Sequence, residues 1–472
     1  MRLCESCIPR IGVLFVLALL ALGCDDGGNS ADTSSTDEGN TDDASPTEGI
    51  WLSRGYGMLM QIESSEVTMY EITDIHCLSV FTDLLGSLGT VALDDEEDVL
   101  TLAFHDAFTQ YDFDRLGELP TLCRDENPDD ATDDLVNFDI LWQTFSEHYA
   151  FFELRGVDWE ATRETWRPQV GTRDLFEIFV EMLTPLGDPH VMFFRDDQYF
   201  NTGWEALISR LPDIAEDMAA QEEIDDVEEF LFSWVGENLD VVIEDYLDPQ
   251  TTQIGFRDQL LWGRLADDSS IGYLNVLGME DYCLFCDDPD ATVESVMEEV
   301  VSQLGDVSTL IVDVRFNVGG SDVMAKGIAE YLTDKPRTGY IVKAVDGDGF
   351  TREQIMPLAG DRADRFNQDV ILLISPMTAS AAELFCLMVK DLPHIKTILG
   401  ESTVGIYSAA LDKSLPNGWE FTLSNEVCTD ADGRLYEGVG VTPDETITAF
   451  TRYDRDNQVD TILDRAIAVA AE

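Results

Sequence analysis

Apolar residues recur along this chain with more than one period, and the changes of period divide it. Between 131 and 268 the spacing is helical. Phe138, Leu141, Phe145, Tyr149 and Phe152 fall on one face, and Leu175, Ile178, Phe179, Met182, Leu183 and Leu186 repeat the pattern. Gly187 is placed to close that second helix in the left-handed conformation, with Asp188-Pro189-His190 in the turn beyond it. Residues 204 to 250 predict further amphipathic helices. From 269 to the end, short apolar runs alternate with helical stretches. Strands are predicted over Ile271–Leu277, Leu310–Val314, Val370–Ile374, Thr397–Leu399 and Trp419–Leu423, and helices over Val293–Leu304, Val323–Leu332 and Ala381–Lys390. Repeated β-α units imply a parallel or mixed sheet covered by helices. Upstream, residues 49–130 carry aromatic and β-branched runs at Trp51–Ile62 and Val67–Ile72, with Ser64-Ser65 between them, then at Cys77–Phe81 and Leu100–Tyr111. They predict a small antiparallel β domain with no chemistry of its own.

The first 48 residues fit neither pattern. Arg2 and Arg10 precede an apolar run, Ile11–Leu22, that is too short for a bilayer span of roughly 20 residues and suits a secretory leader. The run ends Ala21-Leu22-Gly23-Cys24, which looks like the lipobox of bacterial lipoproteins, with Leu22 where a small residue is more usual. Residues 1–23 are therefore expected to be a signal peptide, and Cys24 the lipidated first residue of a cell-envelope protein facing the periplasm or exterior. Residues 24–48 are rich in Asp, Ser, Thr and Gly without an aromatic side chain, a self-repelling tether.

Charge narrows the partners. Against 28 Lys and Arg stand 94 Asp and Glu, a formal net charge of −66 over 472 residues. Such a chain cannot replace the counterions on nucleic acid, and an anionic bilayer would repel it, so membrane contact is expected only through Cys24. With 44% hydrophobic residues it can still build a large core. An exported chain can hold disulfides, and Cys77 with Cys123 is a plausible pair in the β region. Cys283 and Cys286 form a lone CxxC with no second ligand pair, read as a local disulfide or free thiols rather than a metal site.

Two strand–turn–helix segments could carry chemistry. In the first, Ile371-Leu-Leu-Ile-Ser-Pro-Met-Thr-Ala-Ser380-Ala-Ala-Glu, Ser380 sits at a helix N-terminus. There the dipole and free N–H groups favour negative charge, and the N–H of Ala381 could serve an oxyanion. An inert N-cap serine fits the same segment. The second, Asp313-Val-Arg-Phe-Asn317-Val-Gly319-Gly320-Ser321, lets the backbone approach a ligand closely at its paired glycines, or is a plain turn capped by Ser321. A serine nucleophile needs a base. The candidates are His76, His105, His148, His190 and His394, and periodicity does not choose between them.

Taken together, these segments resemble the C-terminal processing (tail-specific) protease superfamily, in its branch with the tricorn core and the interphotoreceptor retinoid-binding proteins. The resemblance covers roughly 135 to 450. It rests on Asp313-x-Arg315-x-Asn317-x-Gly319-Gly320, Thr378-Ala-Ser380-Ala-Ala-Glu383, Gly400-Glu-Ser-Thr403-x-Gly405, Leu415-Pro-Asn-Gly418 and Tyr436-Glu437-Gly438-x-Gly440-x-x-Pro443-Asp444, in that order. Leu186-Gly-Asp188-Pro-His190 is similar to the L-x-D-x-H segment of the tricorn-like branch, although Pro189 stands where that branch has Ser. The resemblance implies Ser380 as nucleophile. The processing proteases place a Lys base where this chain has Ile406, so it points instead to His190 as base and Glu437 as the acid that orients charge. Gly319 or Gly320, with Ala381, would hold the oxyanion. No PDZ-like module is visible between 195 and 268.

The fold expected is α/β. It has a crotonase/Clp-protease-like layered core over 269–472 carrying Ser380 and Glu437, a helical subdomain over 131–268 carrying His190, and the β-rich accessory domain over 49–130. The function expected is a lipid-anchored serine endopeptidase acting on a peptide or protein substrate without metal or organic cofactor. The alternative is a non-catalytic carrier of an apolar ligand on the same scaffold, since fold alone does not fix function.

Overall fold

The computed structural model describes residues 45–472 apart from 106, 125–127, 197, 221–226, 257 and 280–291. The expected leader, Cys24, most of the tether, Cys283 and Cys286 lie outside the described residues.

Seven strands form the central sheet, in the order Gln253–Gly255, Leu260–Arg264, Ile271–Val276, Thr309–Asp313, Asp369–Ile374, Ile395–Gly400 and Glu445–Thr446. The first two pairings are antiparallel and the other four parallel. Successive side chains point to opposite faces. Leu310, Val312, Val370, Leu372 and Ile374 pack under the helices Val293–Leu304, Asp322–Glu330 and Ala381–Val389. Ile311, Ile371 and Leu373 pack under Pro212–Ala220, Val227–Val241 and Thr461–Ala470. A sheet covered on both faces explains why its central strands read as unbroken apolar runs. Each side chain fully buried there contributes roughly 2 kcal/mol. This is the α/β layered fold the β-α alternation predicts.

Two smaller sheets were not predicted. Arg337–Asp346 pairs with Gln354–Leu358, Glu426–Thr429 and Gly349–Phe350. The second sheet positions the site. It runs Ala410–Ser414, Glu420–Ser424, Met192–Arg195, Gln198–Asn201, so a strand from beyond residue 400 pairs with the strand that directly follows His190. Phe193 and Phe421, facing each other in that register, join the helices Asp134–His148 and Leu175–Leu183 in one core. The stacked rings of Phe145 and Phe421, 5.8 Å apart, are part of it.

The N-terminal region is one antiparallel sheet of seven strands around Trp51, Met60, Leu100, Leu102 and Phe113. The run Trp51–Ile62 is two strands, Gly49–Ser53 and Met58–Glu63, because Arg54-Gly-Tyr-Gly57 turns between them with φ +81° at Gly55 and +58° at Gly57. Leu100–Tyr111 likewise spans two strands, Val99–Phe104 and Gln110–Leu116. The 54–57 turn is tucked into the core: Tyr56 Oη donates to Glu426 Oε1 at 2.9 Å, and Lys413 Nζ donates to the carbonyls of Tyr56 at 2.9 Å and Gly57 at 3.1 Å. Cys77 and Cys123 are bonded, and Cys386 and Cys428 are free and buried.

Candidate active site

Ser380 stands between the strand Asp369–Ile374 and the helix Ala381–Val389, at φ +52° and ψ −122°. A side chain with a Cβ is strained there by an amount of order 1–3 kcal/mol, and such strain persists only where surrounding structure over-determines it. Here the surroundings are the turn after Asp313. Ser375 Oγ donates to the carbonyl of Arg315 at 2.6 Å, Thr378 Oγ1 to that of Val314 at 2.9 Å, and the Ala379 N–H to that of Asn317 at 3.1 Å. From the other side, the Ser380 N–H reaches Glu383 Oε2 at 3.3 Å.

The paired glycines lie against this elbow. A Cβ on Gly319, whose φ is +114°, would sit 2.7 Å from Ser380 Cβ and 3.0 Å from the Ala379 carbonyl oxygen, so only glycine fits. The Gly319 N–H is already spent on Asn317 Oδ1 at 2.8 Å. The N–H groups of Gly320 and Ala381 have no acceptor among the described residues. The other residues of the second segment are scaffold. Arg315 is buried between Asp313 and Asp460, with Nη2 at 2.6 and 2.7 Å from their carboxylates, and Asn317 Nδ2 holds the Val276 carbonyl at 3.0 Å. Buried charges of this kind need such pairing.

Glu383 ties the elbow to the next loop. Its carboxylate accepts from Thr403 Oγ1 at 2.5 Å and from the N–H groups of Gly405 at 2.7 Å and Ile406 at 2.8 Å. Burial pushes this carboxyl up to about 7, against the pull of those donors. The Tyr407 N–H then donates to Glu437 Oε2 at 2.8 Å, and the Ser408 backbone lies against the His190 ring. Residues 405 to 408 thus carry Glu383, Glu437 and His190 along one stretch of chain, with Ile406 and Ser408 at most about 7 Å apart. Lys413 and Lys396 are engaged elsewhere, with backbone carbonyls of the N-terminal sheet and of Val469.

His190 follows the short helix Thr184–Leu186, which ends on Gly187 at φ +53°, the left-handed cap expected there. Its N–H donates to Asp188 Oδ1 at 2.9 Å and its carbonyl accepts from Thr422 Oγ1 at 2.6 Å, so both the turn and the neighbouring strand fix it. Burial pushes the imidazole down, while Asp188 and the Ser408 backbone pull it back up and Arg155 adds to the fall. The ring is therefore neutral at neutral pH, as a base must be. Nδ1 is buried with no partner among the described residues. Glu437 does not touch it. The two Glu437 oxygens are taken by the Tyr407 N–H and by Arg155, whose Nη2 is 3.3 Å away. Burial, with Asp188 next, holds the Glu437 carboxyl well above its ordinary range.

Arg155 is the addition the sequence did not single out, and Asp188, which stood in the L-x-D-x-H segment without a role, is joined to it. Asp188 is fully buried and also accepts from Tyr149 Oη at 2.9 Å. Of the remaining histidines, His148 is packed against the N-terminal sheet, where a Cβ on Gly57 would come within 2.5 Å of its Nε2, and burial pushes it down to about 3.

Residues 270–447 match the model of peptidase family S41, and residues 131–184 match the tricorn protease C1 domain. A candidate peptidase from Parabacteroides merdae is 23% identical, with a TM-score of 0.58 over 74% of this chain and 98% of that one. Mature CPAF, solved in complex with lactacystin, is 12% identical with a TM-score of 0.51 over 72% of this chain and 98% of that one. At such identities the two structures show a shared fold. The family matches over residues 270–447 and 131–184 make this chain a serine-type peptidase related to the C-terminal processing proteases.

Proposed function

We propose that Ser380 is the nucleophile, His190 its general base, and the N–H groups of Gly320 and Ala381 the oxyanion donors. The observation that carries this reading is the strained Ser380 elbow, held against Gly319 with two N–H groups left unpaired beside it. Ser380 Oγ attacks the peptide carbonyl carbon as His190 takes its proton. The oxyanion is held by the two N–H groups, worth on the order of 3 kcal/mol each. The C–N bond breaks as His190 returns the proton to the leaving amine, and water then hydrolyses the acyl-enzyme. Gly319 acts through close packing rather than donation. Glu437 acts on the base from behind Arg155 rather than by contact. Export and anchoring at Cys24 belong to the same proposal, supported by the leader and lipobox-like sequence. Radiolabelled palmitate incorporated by the full chain and lost in Cys24→Ser tests that part.

The catalytic part is tested by fluorophosphonate labelling of residues 25–472. Label on the wild type should vanish in Ser380→Ala and fall by about a hundredfold or more in His190→Ala. Folded wild type that takes no label between pH 6 and 9 overturns it.

A further inference from the structure

Two buried carboxylates, Asp188 and Glu437, meet a single cation. Arg155 Nη2 lies 3.3 Å from Glu437 Oε1 and 3.8 Å from Asp188 Oδ2, and Nη1 donates to the Gly187 carbonyl at 3.2 Å. The guanidinium is delivered by the four-residue helix Phe152–Arg155, which stops at Gly156 with φ +68°. Phe152 fixes that helix from below, its ring 4.7 Å from Tyr149 and 5.0 Å from Trp159. Tyr149, just ahead of the helix, sends its hydroxyl to the same Asp188. Among the described residues, the side-chain groups that reach the Asp188 carboxylate, Tyr149 and Arg155, thus come from one short stretch of chain, while Thr202 Oγ1 donates to its backbone carbonyl.

The groups that face His190 can be named element by element. Asp188 comes from its own turn, Arg155 from the helix Phe152–Arg155, the Ser408 backbone from the 405–408 stretch, and Glu437 stands behind Arg155. When His190 takes a proton from Ser380 it becomes a cation in a buried place. Burial and Asp188 hold the Glu437 carboxyl toward its protonated form, so the negative charge that meets the new imidazolium is that of Asp188, with Arg155 set between the two acids. Without Arg155 the Glu437 carboxyl would face Asp188 directly and hold its proton more firmly still, since Arg155 is what pulls it back down.

We propose that Arg155 is a positioning residue for the general base: it bridges Asp188 and Glu437, so that Asp188 presents its charge to His190 while Glu437 acts only through the bridge. This rests on the reading of His190 as base. It also accounts for a chain with Pro189 beside its histidine and no side-chain contact between His190 and Glu437.

The test is the pH dependence of the second-order rate of fluorophosphonate labelling at Ser380, whose acid limb reports protonation of His190 in the free enzyme. Burial is the main force holding His190 down and Arg155 adds to it, so Arg155→Gln removes the added charge and the acid limb should move up by roughly one pH unit. Arg155→Lys keeps the charge and should leave the limb in place while slowing the plateau about tenfold through loss of the fork. If Arg155→Gln does not fold, the double variant Arg155→Gln/Glu437→Gln replaces it, because it leaves Asp188 facing His190 unopposed and should show the same upward shift. An unmoved limb in the neutral variant, or the same shift in the lysine variant, overturns the proposal. Labelling that does not depend on His190 at all overturns instead the assignment of the base.

Discussion

The two halves of the proposed site, the Ser380 side and the His190 side, are built from different materials. The nucleophile half is backbone: a strand, a turn and a helix, set against a second turn by three hydrogen bonds and a glycine with no room for a Cβ. The base half is side-chain charge. Asp188, Arg155 with Tyr149, Thr422 and Glu437 come from four separate segments, and His190 is held by what they present to it. Apart from Glu383, which it shares with the other half, the backbone-built half has little to titrate, and it has no tolerance for added volume. A charge-built half tolerates changes of shape and responds to pH.

The sharpest way to break this contrast is Gly319→Ala. The new Cβ would start 2.7 Å from Ser380 Cβ, at a φ of +114° that alanine resists. Displacing the nucleophile by even about an ångström should slow labelling by about a hundredfold or more. The pH profile should keep its shape, because no charge has moved. A variant within tenfold of wild type would mean that the elbow is not over-determined by its neighbours.

Asp188→Asn probes the other half. Asp188 pulls the His190 imidazole up, so the amide lets it fall further. The acid limb of labelling should move to lower pH, opposite to the shift expected for Arg155→Gln. The plateau should drop about tenfold, because a weaker base removes the Ser380 proton less well. An unmoved limb would mean that Asp188 does not act on the imidazole.

This division also explains what could be read from sequence. The nucleophile half was legible because local periodicity builds it: the strand before Ser380 and the helix after it lie within twenty residues, and the glycine pair sits on the next such unit. The base half was legible only as a motif around His190. Arg155 lies on a four-residue helix with no periodicity to detect, and its partners are 33 and 282 residues away, since its ion pairs are to Asp188 and Glu437. The pairing of Phe193 with Phe421, which brings the halves together, is a tertiary fact of the same kind. The missed strand Gln354–Leu358 buries Gln354, Met356 and Leu358 but carries Pro357 on its other face, so its alternation is disguised by one buried amide and one proline.

Glu383 belongs to both halves, since it bonds the Ser380 N–H and the loop that leads to His190. Its carboxyl, pushed up to about 7 by burial, binds a proton more readily in the folded chain than in the unfolded one. Between an ordinary carboxylate value and about 7 the folded state therefore holds the extra proton, and this group's contribution to stability falls as pH rises. The difference between pH 5 and pH 8 should be on the order of 3 kcal/mol, read as urea midpoints of wild type against Glu383→Gln. A variant whose pH dependence matches wild type would mean that the four donors around the carboxylate have outweighed burial and keep it ionised throughout.

The smallest effect is expected where the N-terminal sheet meets the core. Tyr56 Oη donates to Glu426 Oε1 at 2.9 Å, the Glu426 N–H donates to Ser408 Oγ at 3.0 Å, and the Ser408 backbone faces His190. Tyr56→Phe removes one buried hydrogen bond and leaves a carboxylate short of a donor, a cost of about 1–3 kcal/mol. The strand Glu426–Thr429 is also paired to Arg337–Asp346, so the backbone at Ser408 has a second support and should not move. Labelling should stay within about threefold of wild type at every pH, because the loss lies two bonds away from any charge that His190 senses. A fall of tenfold or a displaced acid limb would put the N-terminal sheet among the elements that set the base. The charge-built half would then extend across the turn Arg54-Gly-Tyr-Gly57 into a region whose sequence carries no chemistry.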